Sequence, residues 1–282
     1  MLLGVHCSIS GGLHKAFNEA SSLGIDTFQI FTKNQRQWKE KIVGAAEKTI
    51  FINSLKNSNI KTAFSHASYL INLAGDNDIL WERSVKALTS EVLRCNELGL
   101  KFTILHPGYA KSLSEQEGIK KTIRALKTVI HATKYSKVKI LLENTAGQGS
   151  SIGYRFEHLR QIMDGVASAR IGACFDTCHA FAAGYDIRTK SSFEATMEKL
   201  DSTVGLKNIH AIHLNDSKGK LSSKLDRHEH IGKGKLGLAP FKQIMKRFKH
   251  IPKVIETPKE DNMDAVNLEI LRKLAGPYTR MI

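Results

Sequence analysis

Ile171-Gly-Ala-Cys-Phe-Asp-Thr-Cys-His179 is the stretch of sequence on which the fold prediction depends. Its first half is apolar and is bounded by turn-prone sequence, which is typical of a buried parallel strand. The run ends at Asp176, and His179 follows within one helical turn. An anion buried without a partner costs several kcal/mol or becomes protonated, so these polar side chains need a partner.

Two interpretations of Asp176 and His179 follow. A divalent metal is the simplest shared partner, because carboxylate oxygen and neutral imidazole nitrogen are ordinary zinc ligands. In the alternative, Asp176 caps the next helix and His179 packs against it. A single stretch favours capping, whereas recurrence of the arrangement along the chain favours a metal site.

The arrangement does recur, because the sequence predicts eight short strands that alternate with helices. The predicted strands cover residues 2–5, 27–31, 62–65, 102–106, 138–143, 171–176, 209–216 and 253–256. The predicted helices cover residues 13–23, 42–57, 80–98, 114–133, 156–163, 240–248 and 262–274. Ser114 with Glu117 is typical of a capping box, Gly99 of a helix end and Pro240 of a helix start.

This alternation has no composition break or long linker, and it predicts an α/β fold of the closed (β/α)8 TIM barrel type. One domain spans residues 1–282 in this prediction. An open doubly wound sheet is the structural alternative. Ser10-Gly-Gly12 lacks the spacing of a dinucleotide-binding fingerprint after the first strand.

Composition narrows the functional classes. The 282 residues are 41% hydrophobic and 24% charged, as in a globular protein with a large core. The net charge of +15 favours a polyanionic partner, nucleic acid before membrane, although simple solubility also explains it. No stretch is apolar enough to span a bilayer, and the N-terminus predicts a strand rather than a signal peptide. The four cysteines form no C-x-x-C pair, and Cys174 and Cys178 are expected to be packed thiols in a reducing cytoplasm.

Six consecutive predicted strands end in potential metal ligands. These residues are His66, His106, Glu143, Asp176, His213 and Glu256. Their spacing ranges from 33 residues, between Glu143 and Asp176, to 43 residues, between His213 and Glu256. The C-terminal strand ends of a barrel converge on one rim, where active sites of this fold lie. Because the six include no Lys or Arg, the carboxylates need cations, and we expect a metal site.

The types of ligand atom narrow the choice of metal ion. Imidazole nitrogen and carboxylate oxygen suit zinc or manganese in an open catalytic site. Because the ligands are too many for one ion, we expect a cluster. Asp226-Arg-His228, in the long segment after the seventh strand, forms with His179 a candidate set for a further ion. A surface salt bridge is the alternative for this pair.

The chain resembles the endonuclease IV family, the zinc-dependent apurinic/apyrimidinic endonucleases of base-excision repair. The resemblance covers essentially the whole chain. It is carried by Phe31-Thr-Lys-Asn-Gln-Arg-Gln-Trp38, His66-Ala-Ser-Tyr-Leu-Ile-Asn-Leu73, His106-Pro-Gly108, Glu143-Asn-Thr-Ala-Gly-Gln-Gly149, Asp176-Thr-Cys-His-Ala-Phe-Ala-Ala-Gly-Tyr-Asp186, His213-Leu-Asn-Asp216 and Asp226-Arg-His228. These segments together are highly specific, since none is a generic short pattern.

The resemblance implies a centre of three zinc ions, and partial replacement of zinc by manganese stays open. The implied ligand sets are His66, His106 and Glu143; Glu143, Asp176, His213 and Glu256; and His179, Asp226 and His228. Glu143 bridges two ions and is the expected catalytic residue. Zinc lowers the pKa of bound water to roughly 7, so we expect a hydroxide between the bridged ions as the nucleophile.

The implied reaction is hydrolysis of the phosphodiester 5′ to an abasic site in duplex DNA. It leaves a 3′-hydroxyl and a 5′-deoxyribose phosphate, and cleaning of blocked 3′ ends is a second expected activity. The expected DNA-contacting residues are Gln35, Arg36, Tyr69, Lys218 and Arg227. Inserted side chains compensate for unstacking around a flipped nucleotide, and cations meet phosphates. Solvated charge is the alternative for Lys33 and Arg36, and core packing for Tyr69 and Trp38.

Two other functions stay open. Sugar isomerases and epimerases also place carboxylates and histidines around a divalent metal on a barrel rim, but they do not require the Asp226-Arg-His228 segment or the positive charge. A DNA-binding protein without enzymatic activity explains the charge but not the inward carboxylates. We expect a monomeric, cytoplasmic and nucleoid-associated repair enzyme, whose partner is double-stranded DNA with abasic or 3′-blocked lesions and which has no membrane partner.

Overall fold

The computed structural model describes residues 1–276, so the predicted end of the domain, at residues 277–282, lies outside the described range. Eight parallel strands close into a barrel, which confirms the (β/α)8 prediction over the open sheet. The strands are β1 (Leu3–His6), β2 (Thr27–Ile30), β3 (Thr62–His66), β4 (Phe102–Leu105), β5 (Lys139–Glu143), β6 (Ile171–Asp176), β7 (Ile209–His213) and β8 (Lys253–Ile255). Each strand pairs with the next in this order, and β8 pairs with β1.

Helices surround the barrel. They are α1 (Lys15–Ser22), α2 (Ala45–Asn57), α3 (Asp78–Leu98), α4 (Glu115–Ala132), α5 (Phe156–Val166), α6 (Thr177–Ala183), α7 (Lys190–Thr203), α8 (Ala239–Arg247) and α9 (Met263–Ala275). No helix within residues 1–276 has the length and apolar character needed to cross a membrane. The structure contains the predicted signals for helix starts and ends. Ser114 and Glu117 form a capping box at the start of α4, Pro240 lies in the first turn of α8, and Gly99 ends α3 with φ of 72°.

The segments after β6 and β7 differ from the prediction. The sequence analysis assigned no bounds to α6 and α7, which follow β6. The predicted strand 209–216 is too long, because β7 ends at His213 and Asp216–Ser217 instead pairs antiparallel with His228–Glu229. The chain leaves the barrel here because the Asp216 carboxylate binds backbone N–H groups of the following loop. Short strands of this kind have no periodicity that a sequence can reveal.

The barrel interior is a small apolar cluster below the rim. It consists of Phe64, Phe102, Ile104, Leu141, Cys174, Ala211 and Val254. Four of these residues stand two positions before a predicted metal ligand on the same strand: Phe64 before His66, Leu141 before Glu143, Cys174 before Asp176 and Ala211 before His213. Alternate side chains of a strand share one face, so the packed interior directs these polar side chains to the centre of the rim.

We predict that Phe64→Ala lowers the free energy of unfolding by about 3–5 kcal/mol. Phe64 is fully buried and its ring stacks on Phe102 at a centroid distance of 4.5 Å, so truncation leaves a cavity in a closed interior. Urea unfolding followed by circular dichroism measures the loss. The control is Tyr135→Ala at a side chain that is 89% exposed, for which we expect a change within about 0.5 kcal/mol. A similar effect of both substitutions would contradict the described interior.

Candidate metal centre

The structure brings all nine predicted ligands together at the C-terminal rim of the barrel and the loops beside it. They fall into three sets, which coincide with the sets expected from the sequence: His66, His106 and Glu143; Glu143, Asp176, His213 and Glu256; and His179, Asp226 and His228. Within each set the candidate ligand atoms lie within 4.8 Å of one another. These sets support a metal cofactor, and the assignment of individual ligands stays a prediction.

Glu143 lies at the centre of this arrangement and is fully buried. Its Oε2 atom lies 3.2 Å from Nε2 of His66 and 3.2 Å from Nε2 of His106. Its Oε1 atom lies 2.8 Å from Nδ1 of His213 and 3.2 Å from Nδ1 of His179. The two oxygens of one carboxylate therefore face different groups of imidazoles, which is the geometry that a bridging ligand requires.

Backbone carbonyl groups orient three of the imidazoles. Nδ1 of His66 lies 2.7 Å from the carbonyl oxygen of Ala67, and Nδ1 of His179 lies 3.0 Å from that of Asn144. Nδ1 of His228 similarly lies 3.2 Å from the carbonyl oxygen of Glu256. A carbonyl oxygen only accepts, so each Nδ1 carries the proton and each Nε2 presents its lone pair to the site. An imidazole held in this tautomer can bind a metal through Nε2.

The third set passes a direct test of fit to a metal ion. Within residues 1–276, Nε2 of His179 and Nε2 of His228 are buried polar atoms that have no hydrogen-bond partner. They lie 3.1 Å and 3.5 Å from Oδ1 of Asp226. Unsatisfied buried polar atoms are rare in native structures, and an ion-binding site is one recognised cause of them. Two lone pairs and a carboxylate oxygen around one point are a suitable donor set for zinc.

Gln29 orients the second set and is a residue that the sequence analysis missed. Nε2 of His213 donates to Oε1 of Gln29 at 2.8 Å, which leaves Nδ1 facing Glu143 and Glu256. The Nε2 amide of Gln29 donates to Oε1 of Glu256 at 2.6 Å and to Nδ1 of His6 at 2.8 Å. An amide side chain between Phe28 and Ile30 in a predicted strand was the available signal.

Asp176 combines the two roles that the sequence analysis treated as alternatives. Its Oδ1 atom accepts from the backbone N–H of His179 at 2.7 Å and so caps α6. Its Oδ2 atom accepts from Nδ2 of Asn215 at 2.7 Å and lies 3.9 Å from Nδ1 of His213. A carboxylate oxygen has more than one lone pair, so capping leaves acceptor capacity for a metal.

Positive charge is required for the carboxylates of this site. Burial alone raises the pKa of Glu143, but the charges of His213 and His106 outweigh it and hold the pKa well below its usual range. Burial lowers the pKa of His179, yet Asp176 and Asp226 raise it well above its usual value. For Asp176 burial dominates and raises the pKa. Metal ions supply the same compensation while the histidines stay neutral.

The Asp216 carboxylate fixes the loop that carries Asp226 and His228, two members of the third ligand set. It accepts backbone N–H groups of Gly232 at 2.9 Å, Gly234 at 3.0 Å and Leu236 at 2.9 Å. A Cβ atom on Gly234 would lie 2.4 Å from Oδ1 of Asp216, so this approach requires glycine. The closed loop, residues 217–236, includes Asp226 and His228. Sequence reasoning missed this role of Asp216.

One of the four cysteines lies beside the predicted ligands. The four cysteines are free and buried, which confirms the prediction of packed thiols. Cys178 lies near Asp176 and His228, where its sulfur could reach a metal ion. However, burial above all raises the pKa of Cys178 to about 12, and its thiol donates to the carbonyl oxygen of Arg227 at 3.7 Å. The thiol therefore has a partner within the protein, and it does not belong to the ligand sets expected from the sequence.

A cavity of about 470 Å³ opens above the ligand sets. Its lining residues are His66, Tyr69, His106, Tyr109, His179, Asp226, Arg227, His228, Glu256 and Pro258. Tyr69 is 57% exposed and its ring lies 5.3 Å from that of His66, so the core-packing alternative for Tyr69 is wrong. Tyr109 is a lining residue that sequence reasoning missed, although it follows the His106-Pro-Gly108 motif directly.

The other expected DNA-contacting residues lie outside this cavity lining, apart from Arg227. Arg36 is exposed and Gln35 is half-buried, and the carbonyl oxygen of Gln35 accepts the Ser68 hydroxyl at 2.6 Å. Lys218 is exposed, and its backbone N–H donates to Arg227 at 3.0 Å. Lys33 differs from the solvated charge that was one alternative, because it is only 5% exposed.

Comparisons with known proteins place the chain among barrel proteins. It matches a family model described as "Xylose isomerase-like TIM barrel" over residues 17–274. "Probable endonuclease 4" from Geobacter sp. (strain M21) is 45% identical over 278 residues, or 97% of this chain and 98% of the relative. The crystal structure of endonuclease IV from Thermus thermophilus has a TM-score of 0.86 at 34% identity, covering 97% of this chain and 98% of that one. A D-tagatose 3-epimerase-like protein has a TM-score of 0.77 at 20% identity, covering 97% of each chain, and shows the shared fold alone.

We predict that Gln29→Leu weakens zinc binding by roughly ten- to a hundredfold, the range for loss of a hydrogen bond that orients a ligand. The substitution removes the hydrogen bonds of Gln29 to His213 and Glu256, while every proposed ligand residue is still present in the chain. Titration against a chromophoric zinc chelator measures the affinity. Gln161→Leu, on the exposed face of α5, is the matched control. Equal zinc affinity of the two variants would show that Gln29 does not orient these ligands.

Proposed function

This chain belongs to the endonuclease 4 family, and we propose that it is a DNA-repair endonuclease that cuts duplex DNA at apurinic/apyrimidinic sites. It hydrolyses the phosphodiester 5′ to the lesion and leaves a 3′-hydroxyl and a 5′-deoxyribose phosphate. Removal of blocking groups from 3′ ends is a second reaction of the same site. The proposal rests chiefly on one observation: the unpartnered Nε2 atoms of His179 and His228 beside Asp226.

We infer that the three ligand sets bind three zinc ions, with manganese as a partial substitute. The donors are imidazole nitrogens and carboxylate oxygens, which suit zinc in a catalytic site. Glu143 is the ligand common to the first two sets, and the third set contains His179, Asp226 and His228. When bound, zinc supplies a nucleophile from water at neutral pH and neutralises charge on the phosphate and the leaving oxygen.

The protein side chains around the cavity bind and orient the lesion. The cavity volume of about 470 Å³ falls within the usual range of about 300–1,000 Å³ for ligand pockets, so it has room for an extruded nucleotide. Tyr69 and Tyr109 offer partly exposed rings for stacking at the vacated position. Arg227 and Lys218 are exposed cations for backbone phosphates, and the net charge of +15 strengthens this attraction. Gln35 and Arg36 enter the duplex beside the lesion.

We predict that the purified protein cuts a synthetic abasic duplex and that a strong chelator stops the reaction until zinc is restored. Glu143→Gln lowers the cleavage rate by about a hundredfold or more. The substitution removes the negative charge and one of the two oxygen ligand atoms of the side chain that two ligand sets share. Gel electrophoresis of an end-labelled strand measures both effects. An undamaged duplex of the same sequence is the control. Sugar isomerisation without cleavage of the abasic duplex would favour a metal-dependent isomerase or epimerase instead.

We also predict that Asp226→Asn reduces the zinc content from about three ions to about two per chain. Asp226 belongs to the third set alone, so the first two sets keep their ligands. Incision decreases because the phosphate loses one neutralising cation. Metal analysis by mass spectrometry and the abasic-duplex assay together measure the effect, with circular dichroism as the control for folding. Unchanged zinc content would refute the third site.

A further inference from the structure

A buried charge network outside the metal centre connects helix α3 to the loop of residues 33–40, which we call the 33–40 loop. Glu91 on α3 is 3% exposed. Its Oε2 atom accepts the Thr32 hydroxyl at 2.6 Å, and its Oε1 atom accepts the Ser65 hydroxyl at 2.7 Å. Thr32 immediately precedes the loop, and Ser65 immediately precedes the predicted ligand His66. One carboxylate therefore links the start of the loop to the metal-binding strand β3.

Arg94 continues this network to the far end of the loop. Its side chain is buried, Nη2 donates to Oε2 of Glu91 at 2.7 Å, and Nε donates to the Thr32 hydroxyl at 2.9 Å. Its remaining terminal nitrogen, Nη1, donates to the carboxylate of Glu40. The planar guanidinium thus joins Thr32, which immediately precedes the loop, to Glu40 at the end of the loop, with three donors in a fixed fork.

Lys33 stabilises the loop from inside. Its buried ammonium donates to the carbonyl oxygens of Gln37 at 2.6 Å and Lys39 at 3.3 Å, and lies 3.5 Å from Glu40. Trp38 packs against the core, and the guanidinium of Arg83 lies 4.8 Å from its ring centroid. The loop therefore contacts α3 through polar and aromatic groups, while its tip at Arg36 is exposed.

Stability alone does not account for this arrangement. Apolar residues of similar volume stabilise a fold as well as buried ion pairs, or better, because they avoid the cost of desolvating charges. A fork of directed hydrogen bonds, in contrast, fixes one backbone geometry. The fixed geometry places the tip beside the segment of Tyr69, where the Ser68 hydroxyl donates to Gln35. Ordering the loop before binding avoids an entropic cost at the moment of binding.

We propose that Glu40, Glu91 and Arg94 are positioning residues for lesion recognition. They keep the 33–40 loop rigid in the orientation in which Gln35 and Arg36 enter the duplex beside Tyr69. Loss of this anchoring weakens productive binding of a damaged duplex without altering the metal centre. The inference rests on the proposed function, because it assigns the rigid loop to the recognition of an abasic duplex.

Glu40→Gln is the most selective test, because Glu40 is about one-third exposed and the Glu91–Arg94 pair stays intact. Loop motion is read independently of DNA from the fluorescence anisotropy decay of Trp38. The Trp81→Phe background makes Trp38 the sole tryptophan of the 282-residue chain. We expect Glu40→Gln to add a nanosecond component to the anisotropy decay of Trp38, because the loop then moves locally. Glu97→Gln, which removes the same charge from an exposed position on α3, adds none.

The functional measurement uses the zinc-loaded protein and an abasic duplex. We expect Glu40→Gln to raise KM roughly ten- to a hundredfold with kcat nearly unchanged, the size of effect known for displaced positioning groups. Hydrolysis of bis(p-nitrophenyl) phosphate and the zinc content stay at the level of the unsubstituted protein. Arg94→Lys keeps the buried charge but loses the fork, and we expect it to share this pattern. Glu40→Asp keeps the carboxylate, and we expect its KM for the abasic duplex to lie between the values of Glu40→Gln and the unsubstituted protein.

The outcomes separate this inference from the proposed function. Unchanged Trp38 anisotropy and unchanged KM in both Glu40→Gln and Arg94→Lys would overturn the positioning role. Equal losses of bis(p-nitrophenyl) phosphate hydrolysis and duplex cleavage would also overturn it, because they would assign the network to general stability. If the unsubstituted protein failed to cut the abasic duplex, the proposed function would fail, and with it the role of the loop in lesion recognition. The anisotropy would still report whether the network anchors the loop.

Discussion

The structure depends on the compensation of negative charge buried at the barrel rim. Glu143 is fully buried, and both of its oxygens lie within 3.2 Å of imidazole nitrogens. Asp176 and Glu256 add two more carboxylates within a few ångströms, so the site is unstable without cations. Metal ions would satisfy this need with neutral histidines as ligands. In the function proposed here, the same ions would neutralise the negative charge that a phosphodiester substrate brings.

A parallel barrel is well suited to gathering such groups. Each strand contributes a side chain at its C-terminal end, and closure of the sheet brings six of these ends to one rim. The apolar interior around Phe64 and Leu141 excludes water from below, so the polar side chains face only one another and the cavity above. The loop of residues 217–236 then adds Asp226 and His228, which complete the third ligand set with His179 of α6. This set distinguishes the chain from a barrel with only the ligands of its strand ends.

Polar residues that hydrogen-bond to the predicted ligands, or to the loops beside them, fix the geometry of the site. Gln29 orients His213, and the Asp216 carboxylate closes the loop that carries Asp226. The Glu91–Arg94 pair extends the same principle to a loop that contains no predicted metal ligand. In each case a buried polar group has directed hydrogen bonds to groups far away in the sequence. Such bonds contribute less to stability than to the choice of one geometry.

Local features of the sequence determined the barrel and the identity of the ligand candidates. Apolar runs that end in His106, Glu143 or Asp176 can be recognised within a few residues, because strand periodicity and burial are local properties. Only the tertiary structure decided the partners of these side chains. Nε2 of His213 donates to Gln29, which lies 184 residues away, and no local pattern encodes that pairing. Lys33 likewise resembled a surface charge, but the folded 33–40 loop buries its ammonium against the carbonyl oxygens of Gln37 and Lys39, because burial depends on the conformation of the chain and not on the residue type.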